Sequence, residues 1–437
     1  MPSRREFLVG TAGLAGATLV AAPARAASAP ERTWQRTYEP GDESTALVHD
    51  LVPLTSGVAL VGAASRDDDY TGWIGKVDEA GRPLWHEFGG GTFSGFLAGA
   101  SAAGDGRSVV AAGITNEVVS PSTPDYSDPH VARVSVNGEL LWRRTYQPAL
   151  PRGSASALVR VADGFVIAGS GAVEGVGRPW VARLDADGTQ QWTWHHEAGG
   201  TVNAALGVDD GVLVAGSTQP VTDDETSGER QEDAWVARLA GDGRLDWEWR
   251  VGDEASARIE ALAPRPDGGA TAVGRRGFAT EDRGVGWLVS LDSAGSRRWE
   301  RTYPQSTWNW LDDVVSVGDG YLLVGTREEG VETNARGAWL LRVDAEGREE
   351  WEVQAATGTE GHTALALDDG GVLVAGERKS EDGALGAGWV AKYGGEPAQD
   401  ETDDTSVSLP SLPGWVGPAL TGGVVGALGA SAASRRQ

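Results

Sequence analysis

Along the chain, short apolar runs and polar turns follow one another in a fixed order. A segment such as Ala157-Leu158-Val159-Arg160-Val161 leads through Asp163-Gly164 into the continuous apolar run Phe165-Val166-Ile167-Ala168-Gly169. Asp-Gly between apolar runs predicts a β-hairpin, because glycine tolerates the positive φ that such turns require. A third segment, Trp180-Val181-Ala182-Arg183-Leu184, alternates with period two as a half-buried strand does. The turn Asp185-Ala186-Asp187-Gly188 then leads into a fourth strand at Trp192. The unit is therefore four antiparallel strands, A to D.

This unit recurs. The ring pairs Trp73/Trp85, His130/Trp142, Trp180/Trp192, Trp235/Trp247, Trp287/Trp299 and Trp339/Trp351 each stand twelve residues apart, with Gly81, Gly138, Gly188, Gly243, Gly295 and Gly347 four residues before the closing tryptophan. Trp389 opens a seventh unit without a closing partner, and Trp34 closes one without an opener. Strand B ends at Gly62, Gly113, Gly169, Gly216, Gly274, Gly325 and Gly376, again seven copies. Units that can bury their faces only against one another, repeating about every 53 residues, predict a closed array. The expectation is an all-β, seven-bladed β-propeller over residues 31–395. Glu31 to Tyr38, with Trp34-Gln35-Arg36-Thr37-Tyr38 matching Trp299-Glu300-Arg301-Thr302-Tyr303, is expected to supply the outermost strand of a last blade whose other strands occupy roughly His362 to Tyr393. Such an interlock removes the open seam.

Composition agrees and narrows the chemistry. Sixty-three glycines and 40% hydrophobic residues suit many short strands joined by turns. With no cysteine, disulfides, thiolate metal sites and a cysteine nucleophile are excluded. The formal charge of -26 disfavours nucleic acid. Lysine occurs only at Lys76, Lys379 and Lys392, and this scarcity combined with acidity suggests a high-salt habitat, where salt screens self-repulsion.

Both ends carry targeting features. Ser3-Arg4-Arg5-Glu6-Phe7-Leu8, an uncharged run and Ala24-Arg25-Ala26 resemble a twin-arginine export signal over residues 1–26. An acidic linker, 396–408, leads to an uncharged segment, 409–437, that ends with Arg435-Arg436. From Trp415 to Ala433 it reaches the length that spans a bilayer. Pro413-Gly414-Trp415 before that run resembles the C-terminal sorting signals of archaeal surface proteins, with Trp where those usually carry Phe. Basic residues retained inside would leave the repeats outside the cell.

The recurrent Asp-Gly-(Gly)-apolar-apolar-apolar-Ala-Gly, followed by Trp-Val-Ala-Arg-Leu-Asp-x-x-Gly-x-x-x-Trp, resembles a large group of secreted bacterial and archaeal β-propeller repeat proteins. It is more distantly similar to the quinoprotein-like propellers, whose cofactor is pyrroloquinoline quinone. The first resemblance implies the fold and carries over no catalytic residue. Nucleophile elbow, phosphate loop, His-Glu-x-x-His and nucleotide fingerprint are all absent.

Candidate binding residues fall in two places. Trp308 and Trp310 lie outside the periodic series, in the segment expected to be the loop from blade 5 into blade 6, where aromatic pairs stack on sugars or proteins. Around the channel mouth, the upper ends of the inner strands are expected to present His49 or Asp50, Asn203, Arg258 or Glu260, Asp312 or Asp313, and His362. Of these, Asp50, Asn203, Glu260, Asp312, Asp313 and His362 join Trp308 and Trp310 as the candidate ligand set. The long loops Ile114 to Pro129 and Ser217 to Glu232 mark the working rim. Their acidic runs, with Asp67-Asp68-Asp69, read as solvated charge, with Ca²⁺ binding the alternative. His195-His196 stand on opposite strand faces and do not suggest a metal site. No cofactor and no metal is expected, with Ca²⁺ and pyrroloquinoline quinone as alternatives. The sequence thus reads as an exported, surface-anchored, monomeric binding or scaffold module for protein or glycan. A quinoprotein-like oxidoreductase and an envelope-assembly factor are the alternatives.

Overall fold

The computed structural model describes residues 28–39, 45–66, 69–88, 95–101, 104, 106–115, 128–146, 153–173, 176–219, 232–251, 256–277, 284–304, 308–329, 335–380, 386–396 and 405–408. The leader over 1–26, the segment 409–437, Asp67-Asp68, Asp223-Asp224-Glu225 and the middles of both long loops lie outside the described residues.

Among the described residues the regular elements are strands, grouped into seven sheets. Blade 1 is β2 to β5 (45–88), blade 2 β6 to β9 (95–145) and blade 3 β10 to β13 (153–195). Blade 4 is β14 to β17 (199–250), blade 5 β18 to β21 (257–303) and blade 6 β22 to β25 (308–357). Blade 7 runs β26 (Thr359–Ala366), β27 (Val372–Arg378), β28 (Ala387–Tyr393), β1 (Arg32–Glu39), so the first strand of the chain completes the last sheet. β1 pairs antiparallel with β28, from Trp34 opposite Lys392 to Tyr38 opposite Gly388.

One correction falls at this seam. β1 is not the outermost strand: β29 (Thr405–Ser408), from the end of the segment read as a linker, pairs parallel with it from Arg36 opposite Thr405 to Glu39 opposite Ser408. A fifth strand covers the edge that β1 would otherwise leave unpaired.

The periodic rings are the packing between blades. Trp73, Trp180, Trp235, Trp287, Trp339 and Trp389 are all at most 1% exposed. Closing tryptophans reach forward onto the turn of the following blade: a Cβ at Gly81, Gly243 or Gly295 would stand within 2.9 Å of the Trp34, Trp192 or Trp247 ring respectively. These turn glycines also hold φ between 73° and 86°, so the position is restricted twice, by backbone conformation and by the indole lying on it. Indole nitrogens then donate across the junction, Trp85 to Val136 O at 3.1 Å and Trp192 to Gly241 O at 2.9 Å. Where a tyrosine follows the closing tryptophan by four, its hydroxyl adds a latch: Tyr38 to Gly81 O, Tyr146 to Gly188 O and Tyr303 to Gly347 O, at 2.8, 2.6 and 2.9 Å. Trp194 and Trp249 belong to the same packing, stacking on Trp235 and Trp287 of the next blade with centroids 6.2 Å apart in both pairs.

Candidate functional site

The seven inner strands share a feature that governs the channel. Each carries a one-residue β-bulge, at His49, Leu97, Ser156, Asn203, Glu260, Asp312 and His362. Each bulge lies beside the glycine that ends strand B: Val48 pairs with Gly62, Val202 with Gly216 and Gly361 with Gly376. The bulge drives an inner-strand carbonyl over that glycine. At all seven positions a Cβ would come between 1.7 and 2.1 Å from this oxygen, although none of the seven has a positive φ. The glycine repeat is thus required by close backbone approach rather than by turn geometry.

Several bulge residues bridge to the following blade at its own bulge. Ser156 Oγ donates to Val202 O, Asn203 Nδ2 to Ile259 O at 2.9 Å, and His362 Nδ1 to Val48 O at 3.2 Å. The next position along is used differently. Asp50 accepts from Gly99 N at 2.7 Å and Leu51 N at 2.8 Å. Asp313, its counterpart, accepts from Ala364 N at 2.8 Å, Thr363 Oγ1 at 3.1 Å and Val314 N at 2.7 Å. Two of the expected ligand carboxylates therefore join blade 1 to blade 2 and blade 6 to blade 7. Burial outweighs these bonds and raises Asp50 to about 7, and it raises Asp313 as well.

The remaining channel groups form a charged arc. Glu260 lies 3.7 Å from Arg258 Nε and 3.9 Å from Arg275 Nε, and it accepts from Asn203 Nδ2 at 2.9 Å. Burial raises its carboxyl despite the two guanidinium groups. Asp312 is held well above the usual carboxylate range, chiefly by burial and then by repulsion from Glu260, with Arg275 and the Trp310 indole opposing. Its Oδ2 has no hydrogen-bond partner among the described residues. On the adjoining blades 7 and 1, His49 stacks on His362 with centroids 5.9 Å apart, and burial pushes the His49 imidazole down to about 3.

Trp308 and Trp310 begin strand β22 (Trp308–Val317) rather than lying in a loop, and Trp308 is 8% exposed. Their ring centroids are 4.8 Å apart, and the Arg336 guanidinium lies 4.4 Å from the Trp308 centroid and 6.0 Å from that of Trp310. The pair is thus an aromatic platform capped by arginine, with the half-buried Trp310 as its more open member. His196 and His195 separate as their alternation requires: His196 is buried against Glu248 and Arg250, whereas His195 is exposed beside Glu197.

Two features escaped sequence reasoning. Glu360, His362 and Glu377 bring one ligand atom each within 4.8 Å of one another. A hairpin register counted back from the Asp369-Gly370 turn sets Glu360 opposite Arg378, and it is the bulge at His362 that moves it opposite Glu377. On the opposite rim, a cleft of about 710 Å³ opens between the turns of blades 7 and 1, lined by Leu54, Asp78, Arg82, Leu367, Asp369 and Lys392.

No protein-family model matches the chain, and no curated protein does either. Among solved structures it is similar to the WD40 β-propeller domain of Doa1, at 13% identity over 84% of this chain and 98% of that one, with a TM-score of 0.51. Others are Sqt1 from Chaetomium thermophilum, at 13% identity, 66% and 70% coverage and TM-score 0.40, and the β-propeller domain of the Trilobed protease from Pyrococcus furiosus, at 12%, 80% and 94%, and 0.44. The likeness to the Doa1 domain shows that this chain has the β-propeller fold.

Proposed function

We propose that the chain is an exported, surface-anchored propeller that serves as a non-catalytic binding module, holding a protein or glycan at the rim from which the loops between strands B and C emerge. The observation that carries this reading is the use of the channel-mouth side chains. Asp50, Asp313, Ser156 and Asn203 all bond to the neighbouring blade. A general acid or base must reach the proton it transfers, whereas these groups fix the scaffold. Binding surfaces favour loops on such a frame, and the Trp310–Arg336 platform offers a preformed aromatic and cationic contact there. The leader over 1–26 and the segment 409–437 support export and anchoring, and a WD40-type fold is consistent with a scaffold.

The test uses the purified exported protein immobilised in molar salt and offered envelope proteins and a panel of cell-surface glycans. Specific retention that falls at least tenfold in Trp310→Ala, with an unchanged melt, supports the reading. A bound chromophore absorbing above the tryptophan band would replace it with the quinoprotein-like oxidoreductase.

A further inference from the structure

We propose that Glu360, His362 and Glu377 form a site for a divalent transition-metal cation of the Zn²⁺ type in blade 7, at the channel mouth. The site goes beyond the rim-binding reading and does not rest on it. Glu360 and Glu377 stand directly opposite one another on β26 and β27. Like charges in that relation repel, and burial worsens the repulsion, since the two side chains are 15% and 4% exposed. Two such carboxylates require a cation between them. In the structure this role falls to Lys379, whose ammonium contacts Glu377 Oε1 and lies 3.7 Å from Glu360 Oε2. The Arg336 guanidinium adds a weaker contact, 3.7 Å from Glu360 Oε1.

Two independent observations point to a metal rather than to lysine alone. First, Glu377 Oε2 is buried with no hydrogen-bond partner among the described residues, so the ammonium leaves the pair half satisfied. Second, His362 brings a ring nitrogen within 4.8 Å of an oxygen of each carboxylate, and its ring is fixed from the neighbouring blade. The Val48 carbonyl can only accept, so the 3.2 Å contact puts the proton on Nδ1 and leaves the lone pair on Nε2. A ligating histidine held by a backbone carbonyl through its other nitrogen is the usual outer arrangement of a metal site. One imidazole and two carboxylates suit Zn²⁺ and its neighbours, and three protein ligands leave a position open. Lys379, on a flexible stem and 28% exposed, swings to solvent as the metal enters.

The experiment is calorimetric titration of ZnCl₂ into the full-length protein after chelator treatment, with excess Mg²⁺ to occupy surface carboxylates. Metal-dependent melting of the same samples is the second readout. Saturable binding of one equivalent is expected, weakened about tenfold or more in His362→Gln and in Glu377→Gln. Lys379→Met should bind severalfold more tightly, and zinc should raise its melting temperature more than it raises that of the wild type. The proposal is overturned by the absence of saturable binding, by His362→Gln binding as wild type does, or by Lys379→Met binding no better. The last outcome is decisive even where the ligand variants fold poorly.

Discussion

Gly216→Ala tests whether the glycine repeat exists to admit the inner-strand bulge. Gly216 pairs with Val202, one residue before the Asn203 bulge, and a Cβ there would stand 2.1 Å from Thr201 O. Carbon and oxygen approach no closer than about 3.3 Å even in favourable C–H···O contacts, so the two strands must part by about 1 Å. Forcing one carbon into packed structure costs about 1–3 kcal/mol. The displaced bulge also carries Asn203, whose bond to Ile259 O joins blade 4 to blade 5, and its loss adds about 1 kcal/mol. At about 2 °C per kcal/mol for a domain of this size, a melting temperature about 4–8 °C below wild type is expected by differential scanning calorimetry. Gly177→Ala is the control: it is exposed on a strand, and the nearest atom to its Cβ would be Gly200 O at 3.7 Å. There the smaller entropy of the unfolded chain should leave stability equal or raise it by up to about 1 kcal/mol. A Gly216→Ala protein melting within about 1 °C of wild type would refute the steric account.

Trp34→Ala removes the indole that lies on Gly81 and should cost about 3–5 kcal/mol, the range for a buried tryptophan; an unchanged denaturant midpoint would show that the seam contributes little. Asp50 has its carboxyl raised from 3.8 to about 7 by burial, so the folded state favours the protonated form. That contribution is complete below about pH 4 and is lost as pH rises through 7, so the melting temperature of wild type relative to Asp50→Asn should fall between pH 4 and 8. A difference that is flat across this range would contradict the shift. With a formal charge of -26, the protein should melt higher in molar salt than in dilute buffer, and equal melts would remove the inference of salt adaptation.

The fold was legible because its period rests on rings and glycines that packing permits nowhere else. Trp192 needs a residue without Cβ beneath it, so Gly243 recurs with it. The glycines ending strand B were equally visible, but their cause was hidden, since a bulge breaks the period-two rule that assigns faces. That is why His49 and Asp50, or Asp312 and Asp313, could not be told apart from the sequence: the bulge residue sits at the channel while its successor turns to the next blade's amides. β29 was unreadable for another reason. Thr405–Ser408 is short and polar, and it pairs with residues near the start of the chain, a contact no local pattern records. Trp308 and Trp310 stood out correctly as aperiodic, but Arg336, which covers them, is remote in sequence.

Closure through sequence-distant ends also sets when the ring can be finished. Thr33 Oγ1 donates to Gly394 O across 361 positions. Of the described strands the ribosome therefore makes β1 first and its two partners, β28 and β29, last, and the first strand waits unpaired through nearly all of synthesis. Loop closure over such a span adds little to the equilibrium cost, since each doubling of length adds only about 0.6 kcal/mol, but it postpones the joint until β28 has been made. A product terminated before β28 has six complete blades and nothing to receive β1, and its two loose edges are open to pairing with other chains.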